Sequence, residues 1–162
     1  MTSLYPPRLE RNNILIRALV GDRFLINLGS ISSSESCKKF IKTLHSREHI
    51  VRDGVSCRVV NHWESQGLLE CERNNESGWR KFNLVEYVWF RIVQKLREFG
   101  LPITKIEKIK AYYFEFNEQP ISMAAYYFIA ARVARQPVFF VVLLNEDQAE
   151  FLDYYEFRKR LI

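Results

Sequence analysis

Residues 55–82 read VSCRVVNHWESQGLLECERNNESGWRKF, and this stretch gives the clearest indication of how the chain folds. Ser56 is a favourable N-cap, because its hydroxyl can accept a hydrogen bond from a backbone N–H in the first turn of a helix. Gly67 tolerates the left-handed conformation in which many helices end. The pattern therefore predicts a helix from Cys57 to about Gln66.

The segment after this helix is expected to form a hairpin. The sequence Asn74–Gly78 is rich in turn-forming residues. It separates two short runs, Glu70–Arg73 and Trp79–Phe82, that can pair as strands. Leu68 and Leu69 are apolar and are expected to face a core. The stretch thus predicts a helix, a tight corner and a two-stranded wing.

The predicted helix has an apolar side and a polar side. Val59, Val60 and Trp63 are close enough on the helix to be buried together. The opposite side carries a polar stripe without a carboxylate, at the spacing i, i+3, i+4 and i+7, formed by Arg58, Asn61, His62 and Ser65. A short helix of this kind after a tight turn is typical of a recognition helix in the DNA major groove. An ordinary amphipathic surface helix would have the same periodicity.

The order of residues resembles the DNA-binding domain of the MerR family of bacterial transcription regulators. Members carry a pattern close to Val-Ser-x-Arg-Thr-Leu-Arg-Tyr-Tyr-Glu-x-x-Gly-Leu-Leu. The residues that match it as they stand are Val55, Ser56, Arg58, Glu64, Gly67, Leu68 and Leu69. The family's next block is an Arg, a short gap and Gly-Tyr-Arg-x-Tyr, to which Arg73 and Gly78-Trp79-Arg80-Lys81-Phe82 correspond. The departures are Asn61, where the family has Arg, and His62, where it has Tyr.

This resemblance implies a fold that is mainly α with small β elements (α+β). It implies a MerR-like winged helix-turn-helix over residues 45–117, whose first helix would cover His45–Asp53. Residues 1–44 would then be an N-terminal extension, and residues 118–162 a small atypical C-terminal α/β appendage.

The resemblance also implies a set of DNA-binding residues. The recognition helix would enter the major groove, while Arg73, Arg80 and Lys81 on the wing would hold phosphates. The complete set is Ser56, Arg58, Asn61, His62, Ser65, Arg73, Trp79, Arg80 and Lys81. In the family a dimer distorts promoter DNA and changes polymerase access. The expected partners are therefore double-stranded DNA, RNA polymerase at promoters and a second copy of this chain.

Two further helices are predicted after the wing. Asn83 with Glu86, and Thr104 with Glu107, have the spacing of capping boxes, and Gly100 would end the first of the two helices. Apolar residues at helical spacing would face the core, namely Val85, Val88, Trp89, Ile92, Leu96 and Phe99 in the first and Ile106, Ile109, Tyr113 and Phe116 in the second.

The two ends of the chain have their own patterns. Upstream, the run Ile14–Leu28 around Gly21-Asp22 predicts a strand hairpin, and a short helix should follow from Glu35 to about Leu44. Downstream, Ser122–Arg135 predicts a helix that is apolar on nearly every side. The run Val138–Leu144 predicts a buried strand, Ala149–Leu152 predicts a returning strand, and Asp153 with Glu156 can cap a final helix. This apolar C-terminal region would either form a dimer contact or cover the N-terminal strands.

Composition and motifs exclude several classes of protein. The net charge is +5, and residues 1–44 hold seven basic against three acidic residues, which favours a polyanionic partner. Cys37, Cys57 and Cys71 lack metal-ligand spacing and suit a reducing cytosol. Together with the DNA binding that the resemblance implies, this predicts a cytoplasmic, nucleoid-associated protein. The first residues lack the charged and apolar regions typical of a signal peptide, and no apolar run is long enough to span a membrane, so neither is expected.

The sequence contains no motif that indicates catalysis. There is no nucleophile motif and no Gly-rich phosphate loop, so no enzyme activity and no cofactor are expected. His45 and His49 have the i, i+4 spacing of metal ligands, but the carboxylate order of a metalloprotease helix is absent, and no metal site is expected.

Two alternative functions remain open. A MerR-like domain also suits an excisionase-like or architectural protein that bends DNA, which a footprint without promoter overlap would favour. Alternatively, the departures at Asn61 and His62 permit a protein-interaction module with a degenerate DNA-binding domain. Salt-dependent binding to duplex DNA would exclude this second alternative.

Overall fold

A computed structural model describes residues 35–50, 55–70, 72–73, 80–115, 122–135 and 137–161. The predicted hairpin Ile14–Leu28 lies outside these residues. The chain divides into two units, residues 1–39 and 40–162, and every element below except residues 35–39 of the first helix belongs to the second. The helices are α1 (Glu35–His45), α2 (Cys57–Ser65), α3 (Leu84–Glu98), α4 (Ile103–Tyr113), α5 (Met123–Ala134) and α6 (Tyr154–Arg160). The strands are β1 (His49–Ile50), β2 (Glu72–Arg73), β3 (Arg80–Phe82), β4 (Val138–Leu143) and β5 (Gln148–Asp153).

Helices with small antiparallel sheets make up the described chain, which confirms the α+β class. The strands form one sheet with the order β1-β3-β2 and a second sheet in which β4 pairs with β5. None of the helices that the structure describes has both the length and the apolar character needed to span a membrane.

Helix α2 begins and ends where the local sequence predicts. The Ser56 hydroxyl accepts a hydrogen bond from the backbone N–H of Val59 at 3.4 Å. At the other end Gly67 has a φ of +69°. The N–H of Leu68 donates to the carbonyl of Trp63 at 2.9 Å. This is the 6→1 bond of a Schellman motif, which turns the chain sharply back into the core.

Helix α3 is also delimited as predicted. Asn83 and Glu86 form a reciprocal capping box, with both hydrogen bonds at 2.9 Å. Gly100 has a φ of +81°. The N–H of Leu101 donates to the carbonyl of Leu96 at 3.0 Å, so a second Schellman motif ends this helix.

The predicted capping box at Thr104 and Glu107 is wrong. Helix α4 begins at Ile103, and its N-cap is Pro102, which makes no side-chain cap hydrogen bond. A capping side chain must belong to the residue just before the first helical residue, and Thr104 is already the second residue of the helix. Proline can stand there because its φ is preset and its missing N–H costs no intrahelical bond.

The predicted first helix over His45–Asp53 is wrong as far as the structure describes it. His45 is the last residue of α1, and β1 follows after a short turn. Strand β1 pairs antiparallel with β3, with His49 opposite Phe82 and Ile50 opposite Lys81. Pairing with β3 satisfies the backbone groups of β1, and this favours an extended conformation here. Residues 51–54 lie outside the described chain.

The core lies between α2, β3, α3 and α4. Trp63 of α2 and Phe82 of β3 each lie with ring centroids 5.8 Å from Phe90 of α3. The indole N–H of Trp89 donates to the carbonyl of Leu68 at 2.8 Å, which joins α3 to the corner after α2. The apolar side chains that are buried in these elements and in the corner after α2 are Val60, Trp63, Leu68, Leu69, Phe82, Val85, Trp89, Phe90, Val93, Leu96, Ile106, Ile109 and Tyr113.

Two apolar residues predicted to be buried are exposed. Val59 is 38% exposed and Phe99 is 79% exposed. Helix α3 packs on more than one side, which widens its buried face to include Phe90 and Val93. Phe99 is the C-cap residue, beyond the last packed turn. Phe116, the other predicted core residue in this part of the chain, lies outside the described residues.

The C-terminal sheet packs directly on the helix α4. Phe140 and Phe151 are register partners, and their ring centroids lie 5.3 and 5.7 Å from that of Tyr113. On the opposite face, Phe139 stacks on Phe157 of α6 at 4.1 Å. Strand β4 was expected to be buried but is half-buried throughout, because a two-stranded sheet leaves an edge open beside each strand.

The helices on either side of this sheet have the predicted caps. The Ser122 hydroxyl accepts from the N–H of Ala125 at 3.3 Å to start α5. The Asp153 carboxylate accepts from the N–H of Glu156 at 2.6 Å to start α6.

Candidate nucleic-acid interface

Helix α2 presents one continuous polar face. The predicted contact residues of this helix and its cap are all exposed, namely Ser56, Arg58, Asn61, His62 and Ser65. They share a face because Val60 and Trp63, which are 6% and 4% exposed, hold the other side of the helix against α3. The first turn of α2 contains no acidic residue. The face is therefore suited to a polyanion.

Arg80 fastens strand β3 to helix α2. Its Nε and Nη2 atoms donate to Oε2 of Glu64 at 3.1 and 2.9 Å. Nη2 also donates to Oδ1 of Asn61. The side chains of Arg80 and Glu64 are 14% and 23% exposed, so the pair is partly shielded from water. Arg80 thus compensates the one carboxylate of α2 and also holds a residue of the polar face.

The remaining residues predicted on the wing are described to different extents. In the β2–β3 register, Arg73 is opposite Arg80, and Glu72 is opposite Lys81. Lys81 is half-buried, and strand alternation directs it to the other face of the sheet from Arg80. The backbone of Arg73 is described but its side chain is not, and Trp79 lies outside the described residues.

A second cation holds the far end of α2. The Lys110 Nζ atom donates to the carbonyl of Gly67 at 2.7 Å and to Oε1 of Glu70 at 2.8 Å. A cation at a helix C-terminus is favourable, because it compensates carbonyls that lack an intrahelical partner. Lys110 is 43 residues away from Gly67 in the sequence, and no local motif predicts the contact.

The pair of histidines does not share a helix. His45 ends α1, whereas His49 lies in β1 and stacks on Tyr87 with ring centroids 5.3 Å apart. The i, i+4 spacing therefore does not place the two imidazoles on one helical face. Within the described residues, no group of three or more His, Cys, Asp or Glu side chains could hold a metal ion.

The comparison with protein families confirms the resemblance seen in the sequence. Residues 51–112 match the family described as MerR HTH family regulatory protein. The matched segment contains α2, β2, β3, α3 and all but the last residue of α4. Helices α1, α5 and α6 and the strands β1, β4 and β5 lie outside it. No curated protein and no solved structure matches the chain.

Proposed function

Because residues 51–112 match the family described as MerR HTH family regulatory protein, we propose that this protein is a transcriptional regulator that inserts α2 into the DNA major groove. The observation that carries this proposal is the exposed face of α2, with Arg58, Asn61 and His62 at its centre. The carboxylate of that helix, Glu64, is paired with Arg80 at 2.9 Å. An anionic duplex can therefore approach the face without strong repulsion from Glu64.

Strands β2 and β3 are proposed to act as the wing. Arg73 and Lys81 would hold phosphates beside the groove, and Arg58 would reach a phosphate or a base edge. Phosphate contacts supply affinity and fix the orientation of the protein, whereas contacts to base edges supply specificity. Arg80 is proposed to position α2 against the wing, because its guanidinium is engaged by Glu64 and Asn61.

A homodimer is proposed to be the DNA-bound form. One short recognition helix reads few base pairs, and helix-turn-helix proteins commonly bind two half-sites one helical turn apart. The exposed apolar residues of α6 and its end are Tyr154, Tyr155 and Leu161, and they are proposed to contribute to the contact between copies. Two recognition helices on one promoter could then alter the DNA that RNA polymerase must engage.

Mobility-shift titration at two salt concentrations tests the proposed DNA contacts. If three cations in each of two protomers each neutralise a phosphate, affinity should fall about a thousandfold between about 50 and about 200 mM salt. Arg58→Ala and Lys81→Ala should each make the slope of log affinity against log salt shallower, by about 0.9 for every phosphate that is no longer neutralised. Lys95→Ala removes the same charge from the exposed side of α3, where Lys95 pairs with Glu98, and should leave the slope unchanged.

The genomic positions of the DNA sites that the protein binds distinguish a transcriptional regulator from an architectural DNA-binding protein. A pool of genomic fragments should yield sites that overlap promoters. Sites without promoter overlap would favour an architectural role, and the absence of binding at low salt would contradict DNA binding altogether.

A further inference from the structure

Val59 is an apolar side chain at the edge of the exposed face of α2, between the exposed His62 and the buried Trp63. It is 38% exposed, whereas its neighbour Val60 is 6% exposed. Successive residues of an α-helix are about 100° apart, which places Val59 about 60° from His62 on one side and about 40° from the buried Trp63 on the other. Val59 therefore lies at the border of the exposed arc that is proposed to face DNA.

The position of Val59 along the helix is also informative. Helix α2 begins at Cys57, so Val59 is its third residue. The residues near the N-terminus of a recognition helix are those that contact base edges. Single exposed apolar residues are common on protein surfaces, but this one lies in the part of the proposed interface that reads bases.

The DNA major groove offers one apolar group to such a side chain. Thymine carries a C5 methyl group there, and small apolar side chains contact it, whereas the other bases present hydrogen-bonding edges. The β-branched side chain of valine has few χ1 rotamers, so it loses little freedom when it packs against a methyl group. Polar neighbours such as Arg58 can meanwhile engage adjacent bases or phosphates.

We infer that Val59 is a specificity-determining residue that contacts the C5 methyl of a thymine in the bound site. This inference rests on the proposed function, because it requires α2 to lie in the major groove. Removing one methyl group from a packed contact should weaken binding about fourfold, which is equivalent to about 0.8 kcal/mol.

The test exchanges single thymines of the DNA for uracil, which lacks only the methyl group. The probe is a duplex that the full-length protein selects from a randomised pool, and a scrambled duplex of the same composition is the reference. Affinities of the wild-type protein and of Val59→Ala are measured for every single thymine-to-uracil duplex. Leu144→Ala is the matched control, because Leu144 is 50% exposed in the turn between β4 and β5. Thermal melting establishes that each variant is folded.

The expected result is a loss of about fourfold for the wild-type protein at one thymine in each half-site. Val59→Ala should bind the unmodified duplex correspondingly less well and show no further loss at those thymines. Leu144→Ala should reproduce the wild-type profile. A selected site without thymine, a wild-type profile that no uracil changes, or a Val59→Ala profile identical to that of the wild type would overturn the inference while leaving DNA binding intact. Equal affinity for the selected and the scrambled duplex would mean that the protein binds DNA without sequence specificity, and Val59 could then not be a specificity-determining residue. Absence of all duplex binding would overturn the proposed function itself.

Discussion

Replacing Arg80 by methionine should separate a structural role of this side chain from a role in binding phosphate. Methionine keeps most of the aliphatic stem and removes the guanidinium, which reaches Glu64 at 2.9 Å and also Asn61. If Arg80 holds β3 against α2, its loss should destabilise the fold. If Arg80 mainly holds a phosphate, its loss should instead reduce the salt dependence of DNA binding.

The expected magnitude follows from the exposure of the ion pair. Fully exposed pairs contribute about 0.2–1 kcal/mol, and removing one partner from a fully buried pair costs about 3–5 kcal/mol. The side chains here are 14% and 23% exposed, which lies between these limits. Arg80→Met should therefore lower the free energy of unfolding by about 1–3 kcal/mol. Hydrogen bonds to charged groups contribute a similar amount to stability.

A double-mutant cycle with Glu64→Gln isolates the interaction itself. Denaturant unfolding of the two single variants and the double variant should give a coupling energy of about 1–2 kcal/mol. Lys95→Met with Glu98→Gln is the control cycle, since that pair lies 2.6 Å apart but its side chains are 66% and 49% exposed. Its coupling should stay below about 0.5 kcal/mol.

The salt dependence of the double variant gives the decisive result. Arg80→Met/Glu64→Gln removes both charges together, so no uncompensated carboxylate is left near the DNA. Its salt slope should equal that of the wild type. A slope shallower by about 0.9, combined with a coupling energy no larger than that of the control cycle, would contradict the structural role and place Arg80 on a phosphate.

Three further outcomes are expected. Trp63→Ala should lower the free energy of unfolding by about 3–5 kcal/mol, because the indole is 4% exposed; an unchanged melting temperature would contradict the packing described for it. Lys108 and Lys105 of α4 each lie 2.9 Å from the carboxylate of Asp147, and they hold its pKa below the ordinary value of 3.8. Asp147 should therefore stabilise the fold above that pH and lose this effect as the pH falls through its folded pKa. The stability difference between Asp147→Asn and the wild type should thus shrink as the pH is lowered below 3.8, and a difference that did not change with pH would be the wrong outcome. Sedimentation at micromolar concentration should show a dimer that Tyr155→Lys weakens and Phe99→Lys does not, whereas a monomer that binds one copy per site would count against the dimer.

Local sequence was enough to set the helix boundaries that depend on neighbouring residues. Ser56, Asn83, Ser122 and Asp153 each cap the helix that follows them. Gly67 ends α2 in the left-handed conformation. These signals act over three or four residues, so the local order of side chains is enough to place them. The MerR-like pattern could be found in the sequence for the same reason. The spacing of its residues is set by the lengths of α2, the corner after it and the following strands, which are consecutive in the chain.

Only the tertiary structure determined which helices and strands pack together and which side chains stay exposed, because both depend on contacts between distant parts of the chain. A strand formed at His49–Ile50, where a helix was expected, because β3 offers it a partner. Arg80 turned inward because Glu64 lies within reach across 16 residues. Val59 stayed 38% exposed although Trp63, about 40° away on the helix, is buried against Phe90 of α3. Each outcome depends on residues far apart in the sequence, and the periodicity of a single helix or strand carries no information about its partner.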